Sequence, residues 1–135
     1  SLSLLAAAPI LPASAQDAMK PKPMTMLVYE PGDAWLPGKQ PTEQNLAPHF
    51  AYVGAKLKEG TLVANGLQAD AIRGFYVIAS GDKAKVDEFV NNDPAVKDHV
   101  LKPAAQMGWA VLINGFSAPQ AGQSNFILKY APGPN

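Results

Sequence analysis

Between residues 24 and 113 the chain passes through four strand-sized and two helix-sized apolar stretches, and their order constrains the fold more than any single residue. "MTMLVY" (24–29) mixes β-branched and aromatic residues over a strand's length and stops at Glu30-Pro31-Gly32. A helix should follow. Asn45 is a good N-cap, Pro48 falls at the third helical position, Leu46, Phe50, Val53 and Leu57 repeat on one face, and Gly60 supplies a left-handed stop. "TLVAN" (61–65), closed by Gly66, and "GFYVIA" (74–79) predict two further strands joined by "LQADAIR". Asp82 caps a second helix with Val86, Phe89 and Val90 as its stripe, and Asn91-Asn92-Asp93-Pro94 ends it, because a residue before proline avoids helical dihedrals. "WAVLI" (109–113) is the last strand.

The order β-α-β-β-α-β predicts an α+β domain, the ferredoxin-like split βαβ, with two helices on one face of an antiparallel sheet. Such a sheet leaves its other face bare. The nearly unbroken apolar runs "FYVIA" and "WAVLI" make that face apolar as well, and a second copy of the chain is the economical cover. The domain is expected over 24–116, after a proline-broken linker at 16–23. A C-terminal extension (117–135) holds one more strand candidate, "FILKY" (126–130), suited to pairing on an edge.

With 135 residues the chain has room for one modest core. Lys+Arg and Asp+Glu both total 11, so there is no net attraction to a phosphate backbone, and nucleic acid is not an expected partner. The absence of cysteine removes disulfides, thiolate nucleophiles and Cys-ligated metals. The first fifteen residues, "SLSLLAAAPILPASA", are uncharged and rich in Leu and Ala, and Ala13-Ser14-Ala15 before Gln16 is a plausible cut. They predict an export signal entered partway, since neither a starting Met nor a basic region precedes them. The mature product would then be periplasmic or secreted, with no membrane attachment; if the leader is no signal, the cytoplasm is the alternative.

The stretch from Val28 to Phe116 resembles the YciI (YCII-related) family of small dimeric α/β-barrel proteins. The resemblance lies in an ordered set: His49 early in the first helix, Glu59-Gly60 at its end, Gly66 closing the second strand and Asp93-Pro94 after the second helix. Pro31-Gly32, Trp35 and Gly38-Lys39 in the first loop match some members, whereas Leu67 stands where members usually carry proline. What the resemblance implies is a subunit dimerising through its sheet, with a pocket between the first helix and the sheet lined by the histidine and the aspartate. Some relatives are cofactor-free lyases that remove chloride from chlorinated hydroxyquinols, and the wider group includes isomerases and oxygenases of small aromatic or lactone compounds.

The residues suit acid–base chemistry. A histidine titrates nearest neutrality, so His49 oriented by Asp93 can take and return a proton without a metal. The alternative is that Asp93 merely turns the chain at Pro94 while His49 makes one hydrogen bond at the helix start. Tyr29, Trp35 and Lys39 can close over a planar ligand, the rings stacking and the lysine meeting a negative oxygen, or they can be plain packing. Asn65 and Gly66 offer ligand contacts from the second strand. His99, in the polar run after Lys97-Asp98, is expected in solvent. Two histidines fifty residues apart form no metal motif, and no nucleotide or serine-hydrolase signature is present, so no cofactor and no metal are expected. Two functions remain: a cofactor-free lyase or isomerase for a small aromatic or cyclic ligand, or a non-catalytic dimeric binding or structural module. An imidazole and carboxylate in contact and open to solvent favour the first; a histidine sealed against backbone favours the second.

Overall fold

A computed structural model describes residues 21–68, 71–111, 120–122 and 132–134. The elements run β1 (Lys22–Pro31), α1 (Ala47–Glu59), β2 (Leu62–Leu67), β3 (Gly74–Ile78), α2 (Lys83–Asn92), α3 (Pro94–Lys97) and β4 (Leu101–Val111). The four strands form one sheet in the order β2-β3-β1-β4, and every neighbouring pair is antiparallel. This is the α+β, ferredoxin-like arrangement that the order of stretches predicts. The leader at 1–15, most of the linker and the "FILKY" stretch lie outside the described residues.

Alternation along the two central strands decides what each face carries. Leu27 and Tyr29 on β1 and Tyr76 and Ile78 on β3 share one face, where they join Val53 of α1 and Val86, Phe89 and Val90 of α2 in a buried core. Both long helices therefore cover the same side. On the other side Met24, Val77 and Val111 cluster with the half-buried Val63, Ala64 and Trp109.

Three local readings need correction. Asn45 is not the cap of α1; Leu46 is, with no side-chain cap bond, and Pro48 sits in the first two helical positions. The stripe on α1 is also rotated from the expected one: Leu46 and Val53 are buried, but Phe50 is 57% exposed and Leu57 39%, while His49, expected at the margin, is 1% exposed. The helix lies over the strands along its 49–53 line, and Gly60 ends it in the left-handed conformation as expected. Finally, β4 starts at Leu101 rather than 109, and residues 112–113 lie outside the described ones. Its first eight residues, "LKPAAQMG", are mostly exposed and include a proline, yet they pair along β1 from Pro31 back to Thr25. An edge strand tolerates proline, and the register shifts at Val28/Tyr29, just where Pro103 meets Tyr29. β1 likewise opens at Lys22, two residues ahead of Met24.

Asp82 caps α2 by accepting from the Ala84 N–H at 2.9 Å. Asp93 ends α2 and at once caps the short α3, accepting from the Ala95 N–H at 2.9 Å. That corner brings a carboxylate inward and holds it there. The first loop is tied by Gln44, whose side chain accepts from the Leu36 N–H and donates to the Leu36 and Lys39 carbonyls. At its start the Gly32 and Ala34 N–H groups donate to the Val100 and His99 carbonyls, which docks the loop against the entry to β4. None of the described helices is long and apolar enough to cross a membrane.

Candidate functional site

Three elements meet below the first turn of α1. His49 enters from the helix, Asp93 from the α2–α3 corner, and Tyr29 and Tyr76 from the two central strands. His49 and Asp93, 44 residues apart in sequence, are in direct contact: Nδ1 lies 2.9 Å from both carboxylate oxygens. On the other side of the ring, Nε2 lies 2.8 Å from the Tyr76 hydroxyl. A carboxylate can only accept, so Nδ1 carries the hydrogen, and in the neutral imidazole Nε2 then accepts from the Tyr76 O–H. The result is a continuous chain, Asp93 to His49 to Tyr76, with the aspartate 0% and the histidine 1% exposed. The Tyr76 ring meets the imidazole edge-on, with centroids 5.7 Å apart, and Tyr29 lies 4.9 Å from Tyr76.

Burial first, and the Asp93 charge second, raise the Tyr76 phenol above its ordinary pKa. The same causes in the same order raise Tyr29, whose hydroxyl is buried and closes no hydrogen bond of normal geometry among the described residues. Both phenols therefore keep their protons. Tyr52, donating to the Phe89 carbonyl, is pushed up to about 12, again mainly by burial.

A cleft opens beside this chain, bordered by Tyr29, Trp35, Pro41, Leu46, His49, Phe50, Leu67, Ile72, Arg73, Gly74, Tyr76 and Leu101. It leaves ≈ 50 Å³ for the centres of water-sized molecules, several times the ~10–15 Å³ that one water needs. Gly74 shapes its inner wall. A Cβ there would sit 2.8 Å from the Tyr76 ring and 2.9 Å from its hydroxyl, so only glycine lets the phenol lie where His49 can bond it.

The residues singled out from sequence separate into two groups. His49 and Asp93 come together, and Tyr29 and Trp35 border the cleft, Trp35 also packing on the cluster of Leu46, Ala95 and Val100. Lys39 is not among the bordering residues: it is bound to Glu43 at 3.1 Å, and the Gln40 N–H and Lys39 together hold the Glu43 carboxyl below its usual range. Asn65 pairs across the sheet with Tyr76 and so shares its face, but it is exposed and outside the cleft border; Gly66 pairs with Phe75, on the opposite alternation. His99 is exposed, as expected. Tyr76, Gly74 and Arg73 were not singled out. Tyr76 sits in an apolar run that reads as core, and nothing in its local pattern shows that its hydroxyl ends on a histidine 27 residues away. Among the described residues no group of three or more His, Asp or Glu gathers as a metal site would require.

Comparison with known families gives a match to the YCII-related domain over residues 22–104, more than half of the chain. No curated protein and no solved structure matches it.

Proposed function

The chain belongs to the YCII-related domain family, and from that membership and the buried Asp93–His49–Tyr76 chain we propose a cofactor-free acid–base protein, lyase or isomerase in type, for one small aromatic or cyclic ligand in the cleft. The observation that carries this reading is the hydrogen-bonded chain itself, ending in a residue that borders the cleft. Because the phenol holds its proton tightly, a free Tyr76 phenolate would be a strong base but is scarcely formed near neutrality. A concerted exchange avoids it. The Tyr76 hydroxyl passes its proton to His49 Nε2 while its oxygen takes one from the ligand; the imidazolium forms beside Asp93, and Tyr76 is a neutral phenol before and after. The reverse exchange returns the proton to another ligand atom.

One observation favours a second reading. The imidazole is sealed, though behind side chains rather than backbone, which suits a structural polar network beside a cleft that only binds. Incubation with a panel of dihydroxy- and trihydroxybenzenes, followed by NMR, separates the two. The catalytic reading expects turnover that His49→Gln abolishes while ligand-induced shifts persist. Binding without turnover in the parent protein supports the module.

Pairing and export belong to the same proposal. The half-buried apolar side chains of Val63, Ala64 and Trp109 on the sheet face away from the helices support a homodimer through that face. Met107→Glu, placed opposite Met26 on that face, should then shift a sedimenting dimer to monomer; a parent chain that is monomeric at high concentration removes the pairing. The uncharged leader supports export, and a recovered product beginning at Gln16 in a periplasmic or secreted fraction is the expected result.

A further inference from the structure

We infer that the ligand is a ring compound bearing one carboxylate, and that Arg73 receives this group at the mouth of the cleft. The inference rests on the cleft being a ligand site, as proposed above, and adds the charge of what enters it.

Among the described residues bordering the cleft, Arg73 carries the one permanent charge. Its side chain is 50% exposed, and its contact with Glu30 is long, 3.9 Å. The same Glu30 carboxylate lies nearer to Lys102, at 3.5 Å. One anion is thus shared between two cations, and the three groups together leave one positive charge. Glu30 can stay with Lys102 while the guanidinium turns to a new acceptor. A guanidinium presents its N–H groups as a planar fork that matches a carboxylate's two oxygens.

The surroundings of Arg73 are unusually apolar for an exposed site. Phe50, Leu67 and Ile72 all border the cleft and are 57%, 75% and 50% exposed. Three large apolar side chains gathered at one opening are a recognition surface more often than a chance of composition. A ring between them loses water-exposed apolar area on both faces. A neutral ring gains from that contact alone; a ring carboxylate gains the guanidinium as well. Arg73 immediately precedes β3, on which Tyr76 is the third residue, so the anion receiver and the end of the proton chain share one short segment.

Benzoate and its neutral isostere benzamide, titrated into the full chain and followed through the backbone amides of Phe50, Ile72 and Gly74, test this. Benzoate should bind about tenfold more tightly than benzamide. Arg73→Gln should erase the difference by weakening benzoate alone, and Arg73→Lys should retain part of it. Arg73 is half exposed, so the variant is expected to fold, and unchanged His49 ring resonances verify that. Equal affinities in the parent chain, or a benzoate preference that survives Arg73→Gln, overturn the inference while leaving the cleft a ligand site. Failure of both probes to shift those amides overturns the inference and the ligand-site reading together.

Discussion

The two faces of the sheet are built in different ways. Toward the helices, Leu27, Tyr29, Tyr76 and Ile78 pack with helix side chains, but a carboxylate, an imidazole and two phenols are enclosed among them. Away from the helices the cluster around Met24, Val77 and Val111 is wholly apolar. The apolar cluster gains from area alone and tolerates any shape that fills it. The polar group needs each partner in place, since a buried charge that loses its partner costs more than its pairing contributes. Specificity of arrangement, and with it any chemistry, is therefore concentrated on the helix side.

The strongest way to break this contrast is Asp93→Ala. It strips Nδ1 of its acceptor and α3 of its cap, and should destabilise the fold by ~3–5 kcal/mol in urea denaturation. Val77→Ala, equally buried on the other face, removes two carbons and should cost about 2 kcal/mol. Equal losses would mean that the polar chain is no more demanding than the apolar cluster.

Alkali attacks the same side. The folded-state pKa values of Tyr29, Tyr76 and Tyr52 are all raised, the last to about 12. A group whose pKa is raised on folding contributes stability that is complete below its unfolded value, about 10 for tyrosine, and is lost as the pH climbs through the folded value. The fold should hold near neutrality and weaken from about pH 10 upward. Tyrosine ionisation followed by ultraviolet absorbance should then coincide with the loss of tertiary circular dichroism. Three phenols ionising near pH 10 in a still-folded chain would show them to be in water.

These experiments also mark what the sequence makes legible. The element order, the stops at Gly60 and Pro94 and the residues of α2 follow from local rules, because capping and breaking act within a few residues. His49 and Asp93 were visible as a pair only through their place in a family pattern, since no periodicity links a first-turn histidine to a corner 44 residues on. The exposed first half of β4 was hidden because its pairing partner, not its own composition, makes it a strand. Tyr76 was hidden for the opposite reason: its apolar neighbours and strand position already account for it as core. Gly74, two residues before it, reads as a strand boundary, and only the 2.8 Å approach of the Tyr76 ring shows what the missing side chain does.

Gly74→Ala sharpens the comparison at that point. The added Cβ has to displace an aromatic ring packed on Tyr29, so overpacking should cost ~1–3 kcal/mol. The phenol should leave His49 Nε2, seen as a shift of that nitrogen's resonance. A variant of parental stability with an unmoved resonance would show that the strand, rather than the ring, gives way.

Asp93→Asn has the smallest expected effect on stability and the most specific on chemistry. The amide oxygen can still cap α3 by accepting from the Ala95 N–H, so the corner should stay and the loss should remain near ~1 kcal/mol. With that oxygen turned to Ala95, the amide nitrogen faces Nδ1 and can only donate. Nδ1 must then become the acceptor, Nε2 takes the hydrogen, and the direction of the bond to Tyr76 reverses so that the phenol oxygen accepts. Nitrogen-15 spectra of the ring should report this exchange of tautomers at constant fold. Because Nε2 no longer has a lone pair toward Tyr76, any proton uptake from the cleft should vanish as fully as in His49→Gln. A preserved tautomer would mean that the amide oxygen, standing where Oδ1 lies 2.9 Å from both the Ala95 nitrogen and Nδ1, accepts from both N–H groups, in which case the Ala95 and Val96 amides should stay unshifted and the link from Nε2 to Tyr76 should survive.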